Sequence, residues 1–260
     1  MSNWTIDGPI LFSAEAFGFK VANYRLGSTS AYGATTEEIK NIVCTNAIWR
    51  VPAGQESRNG GARFDTGAED TALVNNCHFS GRLMMENNGL PAGVASGIPA
   101  IYITGSENCS MDVQVANPAL ETGYIEDAVN FELNIVCDDP PDWQNGGSSV
   151  REAVNVIDST GTILNGRVKS LNRQGLETSN AALTIGSFEI VDVATGYYGI
   201  SLTGTTPNLT VRDKLKIAGV SGAADARGIS AISASVLKIN GFDTEEINRP
   251  IATTAAARQD

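Results

Sequence analysis

Three stretches of the chain decide the fold: GLETSNAALTIGSFEI (175–190), GISLTGTTPNLTVRDKLKI (199–217) and GISAISASVLKINGF (228–242). Each begins with a glycine and an apolar residue, passes through a polar turn, and ends in a segment where apolar and polar residues alternate. Alternation with a period of two is the pattern of a strand that buries one face, because successive side chains point to opposite sides. Units of similar length with the same order of strand, turn and strand indicate a repeat architecture.

The cysteines extend this repeat toward the N-terminus. They follow one another at intervals of 33, 32 and 28 residues in similar surroundings, at Cys44, Cys77, Cys109 and Cys137. Free cysteine behaves as a small buried apolar residue, so the series predicts one inward position on successive units. We expect these thiols to be free, because a chain made inside a cell is kept in a reducing environment.

The turns leave one structural alternative open. Asn-Gly pairs such as Asn165-Gly166 and Asn240-Gly241 are also typical of two-residue hairpins, which would suit an antiparallel sandwich or barrel. The repeated order of elements favours an all-β fold, a parallel β-helix (a solenoid) with an N-terminal arm. We predict an N-terminal arm or cap over residues 1–36, the parallel β-helix over residues 37–245 and a C-terminal tail over residues 246–260.

Two further stretches carry a resemblance to known proteins: LVNNCHFSG (73–81) and PAIYITGSENC (99–109). They resemble the coils of right-handed parallel β-helix proteins, the pectate-lyase-like group, and the resemblance covers roughly residues 40–245. It implies that the solenoid is right-handed. The group contains polysaccharide lyases and hydrolases as well as phage spike, fibre and capsid-surface proteins, so the fold alone does not decide between these functions.

The composition narrows the choice of partners. The 260 residues include 29 acidic and 18 basic side chains, which give a formal charge of −11. Nucleic acid and anionic membranes attract basic surfaces, so neither is an expected partner. The N-terminal stretch MSNWTID (1–7) lacks the basic and apolar regions of a secretory signal, and no apolar run is long enough to span a bilayer. We therefore expect the chain to be assembled in the cytoplasm of its host.

The sequence offers one weak candidate for a catalytic site. Glycoside hydrolysis uses paired carboxylates, and the best cluster is DDPPDW (138–143), whose acidic groups would also suit Ca²⁺. Adjacent aspartates before two prolines are more often an exposed turn. The resemblance to polygalacturonases implies three motifs, of which only the Asp138-Asp139 pair is present.

The single histidine, His78, follows an inward cysteine and is expected to face outward or close a turn. No basic motif marks the base of a lyase. We predict no enzyme activity, no catalytic residue, no cofactor and no metal.

The N-terminal arm holds much of the aromatic content of the chain. Its aromatic residues stand among glycines and few charges, which fits either a cap over the open end of the solenoid or a surface that binds a partner chain. The predicted partner-binding residues are Trp4, Phe12, Phe17, Phe19 and Tyr24.

These observations predict a structural virion protein of a bacteriophage. We expect a capsid decoration (cement) protein, a homotrimer, that binds and stabilises the shell of the major capsid protein and is located in the virion. The acidic surface, the missing catalytic motifs and the aromatic arm motivate this expectation. The alternative is a tail spike or fibre protein that binds or cleaves host surface polysaccharide. A cellular polysaccharide lyase is a weaker third option, because the sequence shows no export signal.

Overall fold

A computed structural model describes the chain over residues 2–13, 19–22, 39–50, 62–65, 74–84, 99–116, 118, 121–138, 152–170, 174–222, 225–232, 235–253 and 258–259. The regular elements in these ranges are all strands. A helix long and apolar enough to cross a membrane is not found in them.

The strands are short in one sheet and mostly longer in the other. In chain order they are β1 (Ser2–Ser13), β2 (Phe19–Ala22), β3 (Ile39–Arg50), β4 (Ala62–Asp65), β5 (Val74–Asn75), β6 (His78–Met84), β7 (Ile101–Thr104), β8 (Ser106–Glu107), β9 (Ser110–Ala116), β10 (Gly123–Glu126), β11 (Val129–Cys137), β12 (Val154–Ile157), β13 (Thr160–Lys169), β14 (Leu176–Ser179), β15 (Ala182–Val193), β16 (Tyr198–Thr203), β17 (Asn208–Gly219), β18 (Arg227–Ala231), β19 (Val236–Ile239), β20 (Phe242–Glu245), β21 (Arg249–Thr253) and β22 (Arg258–Gln259).

The described strands form two sheets in which every pairing is parallel. The first sheet has 13 strands and runs β22-β19-β17-β15-β13-β11-β8-β5-β3-β6-β9, with β1 beside β3 and β20 beside β17. The second sheet is nine-stranded and runs β2-β4-β7-β10-β12-β14-β16-β18-β21. The prediction of an all-β fold with parallel strands is confirmed, and the antiparallel alternative does not apply to the described strands.

The predicted right-handed parallel β-helix is wrong. That prediction expected equivalent coils stacked over residues 37–245, whereas six strands of the first sheet close into a parallel barrel, β3-β5-β8-β11-β9-β6, because β11 also pairs with β9. The second parallel sheet is separate from this barrel. The ring closes around two strand breaks, which follow Asn76 and Asn108, both with φ of 51°. The interruptions separate β5 from β6 and β8 from β9, while β3 and β11 continue and pair with both parts.

Alternation within the strands builds the apolar core. In β11, Phe131, Leu133 and Ile135 are buried, whereas Glu132 between them is exposed. Burying a large apolar side chain contributes about 1.5–3 kcal/mol, so the repeated rows of such residues supply most of the driving force for folding. The cysteines lie in this core as free thiols, as predicted, and each is at most 1% exposed.

Asparagines in the left-handed conformation form a ladder along the corner of the first sheet. Asn41 donates from Nδ2 to Oδ1 of Asn3 at 2.8 Å, and Asn76 donates in the same way to Asn41 at 2.7 Å. Farther along, Asn130 donates to Asn108 at 2.7 Å. Asparagine adopts positive φ more readily than other residues with a Cβ, and each amide here also satisfies its neighbour. The ladder therefore stabilises the corners at which the strands change direction.

The ends of the chain contribute strands to both sheets. Within the predicted arm, β1 pairs with β3 and β2 pairs with β4. Within the predicted tail, β21 pairs with β18 and β22 pairs with β19. The domain boundaries at residues 36 and 245 stay predictions.

Candidate functional site

The aromatic residues predicted to bind a partner are divided between the two sheets. Trp4 and Phe12 belong to β1 in the first sheet, and Phe19 begins β2 in the second sheet. Phe17 and Tyr24 lie outside the described residues. The described backbone therefore places Trp4, Phe12 and Phe19 at the N-terminal end of both sheets but does not gather them on one strand pair.

Trp4 is the most exposed large apolar side chain of the described residues. It lies opposite Ile42 on β3. The next pair along, Val43 with His78, places Cys77 beside Ile42, so Trp4, Ile42 and Cys77 form one row. Ile42 is 5% exposed and Cys77 is 1% exposed, whereas Trp4 is 54% exposed. The difference arises because β1 is the terminal strand and no described strand lies beyond it. The row of core residues thus ends in an indole ring that the described chain leaves uncovered.

A second candidate site is a shallow polar groove across the outer face of the first sheet. Outward side chains of neighbouring strands lie in register there and form two rows. The first row is Ser80, Asp112, Asn134, Asn165, Ser187 and Lys214. The second row is Arg82, Gln114, Val136, Arg167, Glu189 and Lys216. Both rows line two clefts, of about 480 Å³ over β3, β6 and β9 and about 430 Å³ over β11, β13, β15 and β17.

One half of the groove is held by a ladder of ion pairs. Nε of Arg167 lies 2.6 Å from Oδ1 of Asp138, and the same guanidinium pairs with Glu189. Nζ of Lys216 lies 3.2 Å from Oε1 of Glu189 and 3.5 Å from Oε2 of Glu245. The hydrogen bond to Asp138, together with Glu189, raises the pKa of Arg167, and the hydrogen bond to Glu189 raises the pKa of Lys216. These charges hold one another in place across β13, β15 and β17.

The other half of the groove carries polar groups that are open to solvent. Arg82, Asp112 and Gln114 are exposed, and their side chains make no hydrogen bond or ion pair with the described residues. Between the two clefts, Asn165 donates from Nδ2 to Oδ1 of Asn134 at 3.3 Å. Guanidinium, carboxylate and amide groups in this arrangement can bind a ligand that both donates and accepts hydrogen bonds.

Comparison with known proteins does not identify the chain. No protein-family model, curated protein or solved structure matches it significantly.

The candidate catalytic cluster of the sequence is described only at its first residue. Asp138 is exposed and paired with Arg167, while residues 139–143 lie outside the described ranges. His78 is half-buried, and its Nδ1 shares a 2.8 Å hydrogen bond with Oγ of Ser110. Within the described ranges, no three His, Cys, Asp or Glu side chains are grouped in a way that would hold a metal ion.

An aromatic stack that the sequence did not predict lies on the outer face of the second sheet. The rings of Tyr102 and Tyr124 are stacked with centroids 5.1 Å apart, and the guanidinium of Arg63 lies 4.3 Å from the centroid of Tyr102. The hydroxyl of Tyr124 donates to Oε2 of Glu126 at 3.1 Å. Burial, and then the negative charge of Glu126, raise the pKa of Tyr124. A tyrosine at the second position of the strand, after Ile101 and after Gly123, was the signal that could have revealed this stack.

Proposed function

We propose that this chain is a structural protein of a bacteriophage particle, a capsid decoration (cement) protein that attaches through the N-terminal end of its sheets. The observation that carries the proposal is the 54% exposure of Trp4 in a row whose other described members are buried. A rigid indole on a terminal strand offers a large apolar contact area and loses little conformational entropy on binding, so such residues are frequent anchors of interfaces.

The rest of the molecule suits this role. Two parallel sheets with a continuous apolar core make a stiff body, and the formal charge of −11 keeps single copies soluble before assembly. We propose the major capsid protein as the partner and a homotrimer as the assembled form, with the terminal strand β1 at the contact.

The test is a single substitution at the proposed anchor. Trp4→Glu is expected to weaken binding to purified phage shells roughly 30-fold, equivalent to about 2 kcal/mol, because it places a charge in an apolar contact. Binding is measured by co-sedimentation of the full chain with shells. The matched control is Val236→Glu, since Val236 is 40% exposed on β19 near the opposite end of the sheet. Equal shell binding by wild type and Trp4→Glu would contradict the proposal.

The polar groove favours a second function, binding of host surface polysaccharide by a tail spike or fibre protein. Its two rows offer hydroxyl, amide, carboxylate and guanidinium groups across neighbouring strands. Neighbouring strands are spaced by about 4.8 Å, so these groups recur at short, regular intervals along the groove. A linear ligand with hydroxyl groups on each unit would meet a partner at every strand.

Substitutions in the open half of the groove test this second function. Replacing Asp112 and Gln114 together by alanine is expected to weaken binding at least about fivefold, measured as retention in native gels that contain purified bacterial surface polysaccharides, because each lost hydrogen bond contributes about 0.5–1.5 kcal/mol. Lys238→Ala on β19 is the control, since Lys238 is equally exposed but lies outside the groove. If no polysaccharide retards the wild-type chain, or if the double variant is retarded as strongly, the groove does not bind polysaccharide.

A further inference from the structure

Two of the buried cysteines, Cys77 and Cys109, are neighbours at two strand breaks, Cys77 between β5 and β6 and Cys109 between β8 and β9. The register places Asn75 opposite Glu107 just before them. Just after them, the amide of Ser110 donates to the carbonyl oxygen of Cys77 at 2.9 Å. The two residues therefore occupy the same position on successive strands, at the break between β5 and β6 and the break between β8 and β9.

The two thiols lie side by side inside the core and make equivalent hydrogen bonds, and Sγ of Cys109 also lies 3.6 Å from the carbonyl oxygen of Val74. Sγ of Cys77 donates to the carbonyl oxygen of Asn75 at 3.4 Å, and Sγ of Cys109 donates to that of Glu107 at 3.3 Å. The proximity of the two thiols lowers the pKa of Cys77 and, together with burial, raises the pKa of Cys109. Of the two thiols, Cys77 is therefore the one that loses its proton more readily.

The spacing of the strands matches the geometry of a disulfide bond. Neighbouring strands lie about 4.8 Å apart, and disulfides join residues whose Cα atoms are about 4.4–6.8 Å apart. We propose that Cys77 and Cys109 are a redox-sensitive pair, which a peroxide converts into a disulfide bond between neighbouring strands of the barrel. The bond requires no change of strand register.

The reaction follows the ordinary chemistry of thiols and peroxides. The thiolate of Cys77 attacks one oxygen of hydrogen peroxide, the O–O bond breaks, and a sulfenic acid and hydroxide form. The thiol of Cys109 then attacks that sulfur, the S–S bond forms and water leaves. The two thiols lose two electrons and two protons in total, and one peroxide becomes two molecules of water.

Burial sets the conditions under which the pair reacts. Each of the two residues is only 1% exposed, so peroxide reaches them when the chain around them opens locally. The disulfide, once formed, joins the two strand breaks of the barrel and restrains that opening. A chain assembled with free thiols in a reducing cell would thus become more resistant to unfolding after release into an oxidising medium.

The other two cysteines provide internal controls. Cys44 lies opposite Phe79, and Cys137 lies opposite Val168, so neither has a cysteine directly opposite it in these pairings. Both are as deeply buried as the proposed pair. A disulfide that formed by general unfolding would involve all four cysteines, whereas the proposed pair would react selectively.

The test is oxidation of the full chain with hydrogen peroxide, followed by intact mass and non-reducing peptide mapping. We expect a loss of two hydrogens, a linked peptide that contains Cys77 and Cys109, and a rise of about 5–10 °C in the midpoint of thermal unfolding. Cys77→Ala should abolish both changes, and Cys44→Ala should retain them.

Several outcomes would overturn the proposal. Sulfinic acid without a linked peptide, links between chains, or links that involve Cys44 or Cys137 would each show that the pair does not react as a unit. The wild-type peptide map decides the question even where Cys77→Ala fails to fold. The experiment uses neither shells nor polysaccharide, so its result is independent of the proposed function.

Discussion

Replacing Gly166 by alanine is expected to lower the free energy of unfolding by about 3 kcal/mol, because the added methyl group overpacks the core. Gly166 lies on β13 opposite Phe188 on β15. A Cβ at this position would lie 2.1 Å from Cδ2 of Phe188 and 3.4 Å from Cγ2 of Ile135. Phe188 is only 2% exposed, so its ring has no open space into which it can move. Denaturation in urea, followed by fluorescence and circular dichroism, measures the loss.

Two further variants separate this clash from the general effect of removing a glycine. At Gly196 an added Cβ would meet nothing within 4 Å, although φ there is +83°. Gly196→Ala should therefore lower the free energy of unfolding by only about 1–2 kcal/mol, through backbone strain. Combining Gly166→Ala with Phe188→Leu should recover part of the loss, because the smaller side chain makes room for the methyl group. If the double variant loses as much free energy of unfolding as the two single variants lose together, the packing explanation is refuted.

Phe131→Ala is expected to cause the largest single loss, about 4 kcal/mol, because it leaves a cavity that the neighbours cannot fill. Phe131 is 1% exposed on β11, the strand that closes the barrel. Its ring lies above Gly161 of β13, where a Cβ would be 2.3 Å from Cδ1 of the ring. Glycine has no side chain that could move into the vacated space. Val129→Ala on the same strand is the control, and since Val129 is 50% exposed its effect should stay within about 0.5 kcal/mol.

The contact between Phe131 and Gly161 predicts that Gly161→Ala has opposite effects on stability with and without the ring of Phe131. In the wild-type chain, Gly161→Ala should destabilise the fold, because its methyl group meets the ring of Phe131. In the Phe131→Ala background the same substitution should stabilise the fold, because the methyl group fills part of the cavity. Urea denaturation of the four chains of this cycle gives the coupling energy. If Gly161→Ala destabilises both backgrounds equally, the ring does not occupy this space.

The sequence was sufficient to predict the strands and the parallel pairing but not the way the strands close. Alternation around Leu183, Ile185 and Leu209 identifies β15 and β17, because a strand with one buried face has apolar residues at every second position. Breaks follow Asn76 and Asn108, yet Asn41 and Asn130 have a similar positive φ inside unbroken strands, and asparagine is also common in turns. A left-handed asparagine inside a strand therefore looks the same in sequence as one in a loop.

The two candidate sites also differ in how far the sequence predicts them. Trp4 stands out in the sequence as an aromatic residue before the repeats, so composition alone drew attention to it. The groove depends on which residues of neighbouring strands face each other, such as Asp112 with Asn134 and Asn134 with Asn165. The distance along the chain between such partners changes from one strand pair to the next, because the connections differ in length. No fixed period in the sequence could have aligned these rows.

The parallel arrangement gives the molecule a mechanical direction. In the first sheet β1 lies at one end, and β20 and β22 lie at the other. The hydrogen bonds between neighbouring strands run across the strands, so they follow the line that joins these two ends. A force that pulled the N-terminus and the C-terminus apart would act along these hydrogen bonds and break those of one strand at a time. This is unzipping geometry, and it differs from shear, in which many hydrogen bonds resist the force together. The chain would unfold from its ends in a series of small steps, each releasing one or two strands.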